Sequence, residues 1–123
     1  MGSEAPKAVV SEAEVLLDAL LRLADLWGLS QRELAALVQV SEATMSRLVR
    51  GQATLTGATI ELGALVVRAY RSLDGLLSGD DSKAQLWLRA EHVAFGEPPL
   101  TRMQTIEGLV HVVNTLDALR GAG

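Results

Sequence analysis

Between Ser30 and Gly51 the chain reads SQRELAALVQVSEATMSRLVRG, two helices too short to stand alone. Isolated helices of fewer than about 12 residues are marginal in water, so this stretch needs a surrounding core. Ser30-Gln31-Arg32-Glu33 is a capping box, with Ser and Glu satisfying each other's free backbone donors. It opens a helix carrying Leu34, Leu37 and Val38. Ser41 caps a second helix whose apolar positions are Met45, Leu48 and Val49, and Gly51 stops it. Ala35 is small enough for the second helix to cross the first closely, and Val40 plugs the core after the turn Val38-Gln39-Val40.

The rest of the chain also reads as helix, and the expected fold class is all-α. Of the 123 residues 49% are hydrophobic, enough for a real core, and strand-like alternation is nearly absent. The length allows one compact unit, or one small domain with a smaller one appended. Ser11-Glu12-Ala13-Glu14 is another capping box, followed by Val15, Leu16, Ala19, Leu20, Leu23 and Leu26 at helical spacing, with Gly28 as the stop. A longer helix is expected from Leu55 through Leu77, with Gly57, Gly63 and Gly75 as weak or close-packing points. Gly79-Asp80-Asp81-Ser82 is a turn and the clearest boundary. Ser82 or Asp81 then caps a helix over Lys83–Phe95 that ends at Gly96. Pro98 and Pro99 break the chain, and Leu100–Gln104 forms one helical turn. Thr105 caps the last helix, with Ile106, Leu109, Val110, Val113, Leu116 and Leu119 on its apolar side. The expected division is a disordered arm over 1–10, a first domain over 11–79 and a second over 80–123.

Charge and composition narrow the function classes. The net charge is −4, the wrong sign for a protein that simply coats nucleic acid. The distribution is uneven. Residues 29–56 carry Arg32, Arg47 and Arg50 against Glu33 and Glu42, while 1–28 hold Lys7 and Arg22 against five acids. A weakly basic head on an acidic body would bind DNA best as more than one copy. With no Cys, disulfide and thiol chemistry are excluded. His92 and His111 alone make no recognisable metal site, and Asp74, Asp80 and Asp81 read as a capped turn. No signal pattern or membrane-length apolar run is seen, so a soluble, cytoplasmic protein without membrane contact is expected. No catalytic constellation, metal site or cofactor site is expected.

The central stretch fits a helix-turn-helix, whose second helix enters the major groove of DNA. With Met45 and Leu48 inward, the groove-facing residues are Glu42, Ala43, Thr44, Ser46, Arg47 and Arg50. Arg47 can make two hydrogen bonds to a guanine edge, and Thr44 and Ser46 suit bases or phosphate. Gln31 could hold a phosphate, and Glu42 could read a cytosine amine or simply favour the helix dipole. The pattern Gln31…Leu34-Ala35…Val40-Ser41…Met45-Ser46-Arg47…Gly51 resembles the Xre/Cro-like helix-turn-helix family. That family usually has Gly in the turn, where Gln39 stands here. A left-handed Gln costs ~1 kcal/mol, so a distorted or longer turn is expected.

The C-terminal spelling Trp87-Leu88…Ala94-Phe95-Gly96-Glu97-Pro98-Pro99-Leu100…Thr105…Glu107-Gly108…Val112…Leu116 resembles the toxin-binding domain of the Xre/MbcA/ParS antitoxins. Phe95 stands where Leu is commoner, and Glu97 where Gly or a basic residue is commoner. The order of the two halves is also that family's order. The resemblance implies an antitoxin of a type II toxin–antitoxin system, partnered by a RES-domain toxin that consumes NAD. It implies that the last helix and tail reach over the toxin's NAD pocket. On this chain that role falls to Asn114, Asp117, Arg120, Gly121, Ala122 and Gly123, with Trp87 at the interface. Operator DNA would be the second partner, and autorepression the consequence.

Two other readings stay open from the sequence. One is a stand-alone repressor whose C-terminal domain dimerises or senses a ligand. The other is a scaffold with an inactive helix-turn-helix. A homodimer or larger hetero-oligomer is expected, because paired heads match two half-sites. Leu16, Leu20 and Leu23, or the helix after Gly57, are the candidate dimer faces.

Overall fold

A computed structural model describes residues 11–122, so the arm expected over 1–10 and the terminal Gly123 lie outside the described residues. Seven helices occur among the described residues, and no strand. They are α1 (Glu12–Trp27), α2 (Gln31–Leu37), α3 (Glu42–Val49), α4 (Ala58–Leu76), α5 (Asp81–Arg89), α6 (Pro99–Arg102) and α7 (Ile106–Ala122). The all-α expectation is met.

The caps explain where the first three helices begin. In α1 the Ser11 hydroxyl accepts from Glu14 N at 3.1 Å, and Glu14 Oε1 accepts from Ser11 N at 3.0 Å. Ser30 and Glu33 repeat the arrangement at α2, with 3.0 and 2.9 Å. Ser41 accepts from Thr44 N at 3.0 Å to start α3. Gly28, at φ 69°, ends α1 in a left-handed turn that an L-residue would resist.

The long helix α4 is the post of the molecule. Leu62, Val66, Ala69 and Leu73 form its buried stripe, at the spacing of one helical face. It packs against α1 on one side and, most extensively, against α7 on another. The α1 contact is close because residue 63 is Gly. A Cβ there would lie 3.0 Å from Leu20 Cδ1 and 3.1 Å from Leu16 Cδ2. Leu20 and Leu23 are therefore core residues, and the expectation that they form a dimer face is corrected. Trp27, fully buried, meets Tyr70 of α4 with ring centroids 5.5 Å apart.

Several expected boundaries move. Helix α4 starts at Ala58 rather than Leu55, because Gly57 takes φ 52° and ψ −129°, which no helix accommodates. Leu55 is buried ahead of the helix as a loop anchor. Helix α5 begins earlier, capped by Asp80, and ends at Arg89 rather than Phe95. Ala90 is extended, and residues 91–97 form a turn in which His92 N donates to Glu97 O at 3.3 Å. The turn folds Phe95 back onto Trp87 and His111, at 6.2 and 5.1 Å, instead of carrying it onward along α5. His92 thus sits in a turn and not on a helix. In α7 the buried positions are Leu109, Val112, Val113 and Leu116, while Ile106, Val110 and Leu119 are exposed. The stripe is rotated from the expected one because α7 packs mainly on α4 and also on α6.

The α6–α7 turn depends on one glycine. Thr105 Oγ1 accepts from Gly108 N at 3.0 Å, which caps α7 as expected. A Cβ on residue 108 would stand 1.8 Å from the Arg102 carbonyl oxygen, a backbone atom that cannot give way cheaply. Gly108→Ala is expected to destabilise the fold by about 3 kcal/mol or more in urea unfolding. Gly121→Ala meets open space and should stay within about 0.5 kcal/mol. Equal midpoints for the two variants would show that the close approach at Gly108 does not hold the turn.

Candidate functional site

Helix α3 carries the candidate recognition face. Met45 and Leu48 are buried, which turns Glu42, Ala43, Arg47 and Arg50 outward and leaves Thr44 and Ser46 half-buried. Val49, the third apolar residue of α3, is 44% exposed at the helix end. The two arginines are held by hydroxyls of their own helix. Arg47 Nη2 donates to Thr44 Oγ1 at 3.2 Å, and Arg50 Nη1 donates to Ser46 Oγ at 2.6 Å. Arg50 Nε also reaches Gln52 Oε1 at 3.3 Å. Arginines held in this way present their remaining donors along the helix face, the geometry that guanine edges and phosphates accept. Gln31 is exposed at the first residue of α2.

Two further residues border this face. Arg32 Nε lies 3.6 Å from Glu42 Oε2 in an exposed pair. Such a pair contributes at most about 1 kcal/mol to stability, but it offsets the charge of the acid on the face. Gln52, just past Gly51, braces Arg50. Sequence reasoning missed both roles, because each depends on a side chain from a different turn or element.

The turn before α3 is neither longer nor distorted, which corrects the expectation. Gln39 takes the left-handed conformation itself, at φ 61°. Its side-chain amide donates to Ala36 O at 2.9 Å and to Gln104 O at 2.6 Å. Beneath it, Val40 N donates to Ala35 O at 3.0 Å, and buried Ala35 lets the helices approach.

The helix-turn-helix is also braced from α5. Arg89 donates to both carboxylate oxygens of Glu33, at 2.8 and 2.9 Å, and to Gly28 O at 3.0 Å. Gln85 Nε2 donates to Leu26 O at 2.8 Å. The bidentate Arg89 contact holds the Glu33 carboxyl down at about 2, from an ordinary 4.5, with partial burial opposing it. Glu33 therefore works twice, as the acid of the α2 capping box and as the anchor for α5.

In the C-terminal half the structure scatters the expected partner-binding residues. Trp87 is half-buried and meets His92 and Phe95 edge-on, at 5.6 and 6.2 Å. Asn114 is exposed on α7. Asp117 and Arg120 converge on Ser72 of α4, a buried polar residue at 1% exposure. Ser72 Oγ donates to Asp117 Oδ1 at 2.8 Å and accepts from Arg120 Nη1 at 3.3 Å. The Ser72 bond and the Arg68 guanidinium hold the Asp117 carboxyl below its ordinary range. Gly121 is exposed and helical, and α7 runs on to Ala122, so this segment continues the helix instead of forming a separate strand of tail. Ser72 and Arg68 were not singled out from sequence, since nothing local marks them. Among the described residues no helix is long and apolar enough to cross a membrane.

Two short capped helices crossing at a small residue, with an arginine-bearing outer face, define a helix-turn-helix head with a helical domain appended. The comparisons with known families agree with that class. Residues 9–68 match the antitoxin Xre-like helix-turn-helix domain, and residues 72–122 match the antitoxin Xre/MbcA/ParS C-terminal toxin-binding domain. The chain belongs to the Xre/MbcA/ParS antitoxins, with a helix-turn-helix half and a toxin-binding half. No curated protein matches it significantly. The two matches meet inside α4, between residues 68 and 72, whereas the turn at Ser78 and Gly79 marks the break in composition.

The Glu33–Arg89 pair sets an acid dependence of stability. Glu33 has a folded pKa of about 2 against an ordinary 4.5, so its contribution is complete above 4.5 and is lost as the pH falls through about 2. Because the Arg89 side chain is 48% exposed, solvent screening reduces that contribution to about 1–2 kcal/mol. Glu33→Gln should lose this amount at neutral pH, and its deficit relative to the parent should shrink on acidification. Urea midpoints followed from neutral pH down to about 2 would test this. A deficit that stays constant with pH would mean the ion pair is not its source.

Proposed function

We propose that this chain is the antitoxin of a type II toxin–antitoxin pair whose toxin is a NAD-consuming RES-domain enzyme. It neutralises the toxin by covering the active site with the end of α7, and it represses its own operon through α3. The observation that carries this reading is the tandem of matches, a helix-turn-helix half followed by a toxin-binding half, across nearly the whole chain. The RES partner and the NAD pocket follow from the family resemblance of the C-terminal half.

On this reading the two faces do different work. Gln31, Glu42, Ala43, Thr44, Ser46, Arg47 and Arg50 face operator DNA, with Arg47 as the main base reader. Trp87, Asn114, Asp117, Arg120 and the residues from Gly121 to Gly123 belong to the toxin interface. Asp117 and Arg120 already hold Ser72, so within that interface they aim the helix end. Ala118, Leu119, Arg120 and Gly121 are exposed at the tip, and Asn114 is exposed a turn earlier. A homodimer pairs two weakly basic heads on two half-sites, which a single acidic chain would hold too weakly. The exposed residues of α1 and α4 remain available for that contact, whereas Leu20 and Leu23 do not.

Two experiments test the two faces. Arg47→Ala should weaken binding to the DNA upstream of the chain's own gene by about 1–3 kcal/mol in fluorescence anisotropy, with relaxed base preference. Unchanged affinity would show that α3 does not read bases. Co-expression with the neighbouring gene product should yield a stable complex without NAD-consuming activity. Removing Arg120 to Gly123 spares the buried stripe up to Leu116, so the shortened chain should fold yet fail to protect cells. Full protection at equal expression would rule out coverage by the end of α7.

A further inference from the structure

Gln39 pays for its position. It is a non-glycine residue in the left-handed region, at φ 61°, where Gly would cost less. Gly has no side chain, and here the side chain is what is used. The Gln39 amide is long enough to donate at once to Ala36 O, in its own motif, and to Gln104 O, 65 residues away in the other half.

Both ends of this link are well placed to transmit a displacement. Gln39 is two residues ahead of Ser41, the cap from which α3 starts. Gln104 lies between Met103, which is fully buried, and Thr105, which caps α7. The same junction is pinned by the close approach of the Arg102 carbonyl to Gly108. The other polar ties between the halves end elsewhere: those from Arg89 and Gln85 on Glu33, Gly28 and Leu26, which hold α2 and the end of α1, and that from Asp117 on Arg68 of α4. The tie at Gln39 acts on the turn that leads directly into α3.

We infer that Gln39 is a positioning residue that couples the DNA-facing helix α3 to the toxin-binding half through the Gln104 carbonyl, so that a partner seated on that half alters operator affinity. This rests on α3 being the helix that meets DNA, as proposed above. One hydrogen bond of about 1 kcal/mol corresponds to about a fivefold effect. Because such coupling is reciprocal, DNA would alter partner affinity by the same factor.

The test uses Gln39→Gly and Gln39→Asn in the full chain. Gly and Asn tolerate left-handed backbone best, so both variants should fold, and neither side chain reaches Gln104 O. Amide hydrogen exchange over Thr44–Val49 should rise about fivefold in both, with α4 and α7 unchanged. Affinity for the DNA upstream of the gene should fall about fivefold without a lower melting temperature. A merely structural turn residue would give the opposite pattern, because Gly relieves the backbone cost. Exchange in α3 at the parent's level would overturn the inference, and so would parent-level DNA affinity in both variants. If the parent itself binds no DNA, the reading of α3 fails, and the exchange measurement alone still decides whether Gln39 holds that helix.

Discussion

The fold hangs on α4 being buried on more than one side. Its stripe of Leu62, Val66, Ala69 and Leu73 is covered by α1 and α7 together, and Gly63 and Ser72 sit at the two contacts. Neither α2 nor α3 is long enough to be stable without neighbours, so both inherit their stability from this packing. The toxin-binding half inherits it too, since α7 finds its main partner in α4. The family matches divide within this helix, between residues 68 and 72. Physically the division is not a linker. The same helix supplies Leu62 and Val66 to one half and Ser72 and Leu73 to the other.

Local chemistry was legible in the sequence, and long-range chemistry was not. The Ser11–Glu14 and Ser30–Glu33 boxes, the Ser41 cap and the Gly28 stop all rest on residues within four positions of one another, and all are present. The outward face of α3 followed from placing Met45 and Leu48 inward, which needs only the helical period. The end of α5 did not follow. It is set by Phe95 meeting His111 edge-on, 16 positions on, and by Arg89 reaching back to Glu33. The rotated stripe of α7 failed for a related reason. A helix with apolar residues at Ile106, Leu109, Val110, Val112, Val113, Leu116 and Leu119 has several possible inward faces, and only its neighbours choose among them. In the site, Arg32, Gln52, Ser72 and Arg68 matter through partners that only the folded chain brings near.

The acidic total is less of an obstacle to DNA contact than the net charge implies. Of the two acids in the helix-turn-helix stretch, Glu33 is taken by Arg89 from outside it, and Glu42 is paired with Arg32. Arg47 and Arg50 are hydrogen-bonded to hydroxyls, which orient them without neutralising them. What a phosphate would meet on the outer face of α3 is therefore two uncompensated guanidiniums, carried by its C-terminal half. The bulk acidity is spread over other surfaces. It opposes non-specific accumulation on nucleic acid while leaving one small face basic. The compensation of Glu33 comes from α5, so the C-terminal half contributes directly to the electrostatics of the helix-turn-helix. A chain of this size thereby joins the two matched domains without a linker. The residues that hold them together also set the charge that one of them presents.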